Sequence, residues 1–172
     1  MEAHQKQITV YSNHTESAPV IYLPVVVGDG SEVYKCCREL DCPPFALVTI
    51  GGLDWNRELS PWACDGTVRD AEPFGGQAAD FLDELLNQII PQVESSLPQP
   101  PTWRGIAGYS LAGLFALWSL WQTDAFDRAA SASGSLWFPD FCRPCQHGPF
   151  LPAARKPSTC HSAKRKPRRP TA

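Results

Sequence analysis

The stretch GIAGYSLAGLFAL, Gly105–Leu117, sets one hydroxyl, Ser110, between a short apolar run and a long one. The preceding WRGIAGY has the length of a strand, and LAGLFALWSLW that of a buried helix. Ser110 therefore stands at a strand-to-helix turn. Gly108 on one side and Ala112-Gly113 on the other are small enough for the backbone to bend sharply. A serine in that place has two readings. It caps the helix, or it is held out as a nucleophile over a helix N-terminus whose dipole favours developing negative charge. The pattern G-x-S-x-[GA] is frequent by chance; the strand before it and the apolar helix after it favour the nucleophile.

Outward from this turn, strands and helices alternate. KQITVY reads as a strand by alternation and VIYLPVVV by its apolar run, with Pro24 arguing for an edge or a bulge. Asp29 and Glu32 resemble a capping box opening a helix over SEVYKCCREL, with Val33, Cys37 and Leu40 on one face. FALVTI is a buried strand. The segment GGLDWNRELSPWACDGTVRDAEPFGG that follows is too long to be a mere connection and reads as a functional surface. Then Ala78, Phe81, Leu82, Leu85, Leu86, Ile89, Val93 and Leu97 recur at helical spacing, with a kink or restart expected at Pro91. After the helix that follows Ser110, AASAS forms another strand and SLWF a further one. The order predicts an α/β fold with a mostly parallel sheet and helices on both faces.

At 172 residues and 43% hydrophobic content the chain has enough apolar residues for one core. The net charge of −3 hides a division: residues 1–141 hold seven Lys and Arg and all 18 acids, and residues 142–172 hold the other eight bases and no acid. The expected domains are therefore 1–141, folded, and 142–172, a basic, Pro-rich tail without apolar periodicity. Two origins account for that tail, a native basic extension and an out-of-frame translation. Its Cys142, Cys145, His147, Cys160 and His161 match no compact zinc-site spacing, so no metal and no other cofactor is expected. AKRKPRRP lacks interleaved aromatics, which does not favour a nucleic-acid partner. No run spans a bilayer and no secretory leader is visible; with seven cysteines, an odd number, the expectation is a cytoplasmic protein with reduced thiols.

From about Lys6 to Phe141 the chain resembles the putative esterase family of α/β-hydrolases, which includes esterase D-like enzymes and enterochelin and siderophore trilactone esterases. VIYLP, LVTIGGLDWNRELSPW, FGGQAADFLDELLNQIIPQVE, GYSLAGLFAL and FDRAASASGSLWF carry the resemblance, in family order. It implies an α/β-hydrolase fold and a serine esterase acting on a small-molecule ester. Ser110 would be the nucleophile, and the backbone N–H groups of Leu111 and Leu53 the oxyanion donors. Arg57 would hold a carbonyl or anionic group of the substrate; its alternative is a solvated arginine paired with Glu58 or Asp54. Trp55 and Trp62 would line the acyl pocket or staple their loop to the core.

A serine needs a histidine as base and an acid to orient it, and in this fold both follow the nucleophile. After Ser110 come only Asp124, Asp127 and Asp140, in positions that suit capping or lie too early, and His147 and His161 in the basic tail. His4 and His14 precede the core and read as surface residues. The expectation is a truncated member, with C-terminal strands and helices missing and an incomplete catalytic site. The alternative is a noncatalytic remnant or interaction module with a basic, nucleic-acid-binding tail. An open sheet edge would then invite self-association.

Overall fold

Tyr22, Val48 and Ile106, buried residues of three neighbouring strands, mark the centre of a five-stranded sheet. The structure, a computed structural model, describes residues 5–13, 16–66 and 72–141. The sheet comprises β1 (Gln7–Tyr11), β2 (Val20–Pro24), β3 (Ala46–Gly51), β6 (Arg104–Tyr109) and β7 (Arg128–Ala132), in the order β1-β3-β2-β6-β7. Only β1 runs antiparallel, against β3; β3, β2, β6 and β7 run parallel to one another. β4 (Ala63–Cys64) and β5 (Phe74–Gly75) form a separate antiparallel pair. The helices are α1 (Ser31–Glu39), α2 (Trp55–Glu58), α3 (Ala78–Glu84), α4 (Ile90–Ser96) and α5 (Leu111–Gln122). None of these helices is long and apolar enough to cross a membrane.

Period-two alternation sorts the sheet into two faces. Val20, Tyr22, Ala46, Val48, Ile50 and Ile106 join Phe81, Leu85, Phe115 and Trp118 in one apolar core under α3, α4 and α5. Phe115 is the pivot, 5.1 Å from Phe81 and 5.9 Å from Trp118 between ring centres. Burying each such ring contributes about 1.5–3 kcal/mol. The opposite face carries Leu47 and Thr49, and Thr49 Oγ1 donates to Asp29 O just before α1.

Pro24 corrects the sequence reading of β2, because the strand is interior. Val20 N–H donates to Trp103 O on the β6 side and Val25 N–H to Ile50 O on the β3 side. Alternation therefore aims the nitrogen of Pro24 toward β6, where pairing has already ended at Tyr22–Ile106. No ladder bond is lost.

The expected face of α1 is also corrected. Val33 and Leu40 are exposed, and no residue of the helix is buried. Tyr34 makes its contacts instead, stacking on Tyr11 at 5.4 Å and meeting Phe45 edge-on. Nor does an Asp29–Glu32 box form: the N-cap is Gly30, left-handed at φ 81°, and Asp29 Oδ1 accepts from Ser31 N–H at 3.0 Å. That backbone donor first, then the Ser31 and Tyr11 hydroxyls, pull the Asp29 carboxyl down to about 2. A depressed carboxylate adds stability above its unfolded value and loses it as pH falls through its folded one. A carboxyl-carbon NMR titration is expected to place the Asp29 midpoint near 2; a midpoint at the ordinary aspartate value would mean the turn is open.

The periodic run after Gln77 forms α3, a π-helical turn over Leu85–Ile89, and α4 without a break in direction. Ile90 N–H reaches back five residues to Leu85 O. The wider turn lies just ahead of Pro91, whose ring would otherwise press on the Asn87 carbonyl, so the expected kink becomes a π-bulge.

Candidate active site

Ser110 joins β6 to α5 with φ 55° and ψ −121°. A side chain in that half of the backbone map meets its own neighbours, at a cost of about 1–3 kcal/mol. Surrounding bonds enforce it: Ser110 N–H donates to Ala132 O at 3.1 Å, and Ser110 O accepts from Leu114 N–H and Ser135 N–H. Half-buried Ser110 follows the C-terminal end of β6 as the N-cap of α5, and its side chain makes no cap bond to the helix. There the amide groups of Leu111 and its neighbours have no earlier carbonyl in the helix.

Two glycines permit the bend, and their placement explains why Ala112 fits. A Cβ on Gly108 would overlap the Ala112 carbonyl and come within 2.6 Å of Gly113 N. One on Gly113 would sit 2.7 Å from Ser131 Oγ and 3.0 Å from Gly134 Cα. Ala112 is fully buried and has room for its methyl. The small residue that this turn requires is thus at 113, against β7. Gly108→Ala is expected to cost about 2–3 kcal/mol, measured by urea denaturation, since the clash is with backbone. A loss below 0.5 kcal/mol, roughly the noise of a surface change, would show that the turn yields to a methyl group.

The residue that sequence reading missed is Ser135. It is 2% exposed, and its hydroxyl lies 3.3 Å from Ser110 Oγ. Among the described residues this is the one side-chain partner of Ser110. Ser135 begins SLWF, which is a series of turns rather than the expected strand, held by Phe138 N–H to Ser135 O and Phe141 N–H to Phe138 O. Ser135→Ala is expected to slow covalent capture of Ser110 by a fluorophosphonate roughly tenfold, by freeing the nucleophile's rotamer. An unchanged rate would leave Ser135 a packing residue.

The same turns tie the long polar loop to the site. Trp62 Nε1 donates to Pro139 O at 3.1 Å, and the Trp62 ring meets Phe138 edge-on at 5.5 Å. Phe74 of β5 meets Phe138 at 5.0 Å. Trp62 therefore staples the loop to the chain after β7, and Trp55, at the start of α2, packs half-buried against the core. Leu53 follows β3, whose end lies two strands from that of β6, about 10 Å across the same edge of the sheet. Arg57 points outward, its stem under Gly75 and its guanidinium 3.7 Å from Asp54, not Glu58.

Beneath this loop, Lys6 Nζ binds Glu58 and Glu84, each at 2.6 Å, and lies over the Phe81 ring. Glu58 also accepts from Asp54 N–H at 2.7 Å, fixing the start of α2. Arg104 makes a two-pronged pair with Glu94, to which the Tyr22 hydroxyl also donates. Asp127 accepts from Arg104 N–H.

All four histidines, His4, His14, His147 and His161, lie outside the described residues, as do Cys142, Cys145, Cys160 and the basic tail. Among the described residues no three His, Cys, Asp or Glu are grouped to hold a metal ion.

Among solved structures, the siderophore hydrolase EstA from Aspergillus nidulans is 22% identical with a TM-score of 0.62, the match covering 80% of this chain and 56% of that one. An IroE-like serine hydrolase from Shewanella oneidensis is 22% identical at TM-score 0.64, over 77% of this chain and 47% of that one. The BES protein from Bacillus cereus is 20% identical at 0.66, over 83% and 62%. These likenesses show the α/β-hydrolase fold, of which this chain spans a part. The uncharacterized protein YbbA of Bacillus subtilis (strain 168) is 31% identical over 139 residues, 74% of this chain; the chain spans about half of that relative, 54%. The family model Esterase, described as "Putative esterase", matches residues 25–169, through β3, the Ser110 turn and β7, and the chain belongs to that family.

Proposed function

We propose that this chain carries the nucleophile half of a serine esterase, with Ser110 attacking the carbonyl carbon of a small-molecule ester. The observation that supports it most is the backbone at Ser110, held at φ 55° between β6 and α5. Strain of that kind persists where it positions a reacting group. The developing oxyanion would be met by Leu111 N–H and by Leu53 N–H from the loop after β3. Arg57, with its exposed guanidinium, would take an anionic or carbonyl group of the substrate, and Trp55 and Trp62 would line the acyl side. Neighbours named as siderophore hydrolases support siderophore-type esters as the substrate class.

A second reading, a noncatalytic module, has one observation in its favour. The partner of Ser110 Oγ among the described residues is another serine, which cannot act as a general base. Hydrolysis of p-nitrophenyl acetate separates the two. The esterase reading expects a burst of one p-nitrophenolate per chain, followed by turnover if a histidine completes the site. Release no faster than in buffer would overturn it.

A further inference from the structure

At the opposite edge of the sheet, the last turn of α1 brings two thiols together. Asp41 is left-handed at φ 52°; Asp41 N–H donates to Arg38 O and Cys42 N–H to Cys37 O at 3.1 Å. This pair of bonds is a Schellman motif, in which the side chains of the first and last residues meet, usually as an apolar contact. Here those residues are both cysteines.

A backbone bond of 3.1 Å leaves the Cys37 and Cys42 Cα atoms no more than about 7 Å apart. Disulfides bridge about 4.4–6.8 Å. Burial first, and then the adjoining Cys42 thiol, raise the Cys37 thiol above its ordinary value. Cys42 is exposed and lines a cleft of about 110 Å³ with Asn13, Tyr34, Arg38 and Phe45. A small anionic thiol compound could meet the Arg38 guanidinium there. Cys36, also exposed, precedes Cys37 and belongs to neither backbone bond of the motif.

We propose that Cys37 and Cys42 are a thiol–disulfide exchange site, oxidised by a low-molecular-weight disulfide bearing carboxylates. The Cys42 thiolate attacks one sulfur of that disulfide, forming a mixed disulfide and expelling one thiolate, which takes up the proton Cys42 lost. The Cys37 thiolate then attacks the Cys42 sulfur, forming the internal bond and expelling the second thiol. Two protein thiols are oxidised by two electrons, and one small disulfide is reduced to two thiols. The bond closes the turn between α1 and β3, leaving the Ser110 edge untouched.

The test treats the full, reduced chain with oxidised glutathione, alkylates the remaining thiols, and digests it with trypsin without reductant. Cleavage after Lys35, Arg38 and Arg57 separates Cys36–Arg38 from Glu39–Arg57, which contains Cys42 as its one cysteine. The expected product is these two peptides joined, released by dithiothreitol, absent from Cys37→Ser and Cys42→Ser, and retained in Cys36→Ser. A joined product that survives Cys37→Ser would overturn the assignment to Cys37. Glutathione left on Cys42, or Cys42 joined to any other cysteine, would overturn the internal pair.

Discussion

Ser110→Ala is expected to abolish covalent capture by a fluorophosphonate completely, with the chain still folded. Such reagents phosphonylate a serine only where a base takes its proton and nearby donors stabilise the forming oxyanion. Ser110 is the half-buried N-cap of α5, whose first-turn amides have no earlier carbonyl in the helix, whereas Ser60 and Ser119 are buried and bonded to backbone carbonyls. A tryptic map should place the adduct between Gly105 and Arg128. An adduct that survives in the alanine variant would move the reactive group elsewhere. The same position yields a stability test. Glycine normally costs about 0.5–1 kcal/mol relative to alanine, but at φ 55° the sign should reverse. Ser110→Gly is expected to be more stable than Ser110→Ala by about 1 kcal/mol in urea denaturation, the strain of a non-glycine residue there being about 1–3 kcal/mol. Both variants lose the bond to Ser135, so the difference isolates the backbone. Equal stabilities would mean the turn is relaxed.

The Ser110 turn was legible because its small residues and its serine lie within six residues, Gly108–Gly113, and strand and helix announce themselves on either side; the bonds to Ala132 and Ser135 that enforce it were not. The core face of α3 and α4 was legible for a similar reason, a single period running over two elements. Ser135 was not, since its importance rests on a contact 25 residues away in sequence. The Lys6 cluster spans 52 and 78 residues, and nothing local to Lys6, Glu58 or Glu84 marks them as partners. Pro24 misled because a proline's cost depends on which neighbour its missing donor would have served, and that is fixed by where pairing with β6 ends. The apolar residues of α1 misled in turn. Spacing shows that Val33, Cys37 and Leu40 share a face, but whether the face is covered is decided by the packing of the sheet, and Tyr34 took that place.

Lys6→Met is expected to lower stability by about 2–3 kcal/mol and to reach the candidate site as well. Removing one member of a buried ion pair costs about 3–5 kcal/mol. Here the side chains of Lys6, Glu58 and Glu84 keep 14, 18 and 33% of their exposure, so water screens part of the loss. Methionine preserves the packing over Phe81 but leaves two carboxylates facing each other without a cation. Glu58→Gln added to Lys6→Met should therefore regain part of the stability, which a loss from packing alone would not allow. In the unmodified chain, burial pulls the Lys6 ammonium down, and its bonds to Glu58 and Glu84 outweigh that and raise it. A raised lysine contributes its stability fully below the unfolded value and loses it as pH rises through the folded one. The gap between the two proteins should accordingly be largest near neutrality and close in the alkaline range, above about pH 10. The effect on chemistry follows from Glu58, which holds Asp54 N–H next to Leu53. If Leu53 N–H is an oxyanion donor, losing its position slows phosphonylation of Ser110 by up to about 100-fold, the scale of losing one such donor. A Lys6→Met chain that is less stable yet captured at the unmodified rate would take Leu53 out of the site and leave Leu111 and the helix N-terminus to stabilise the oxyanion.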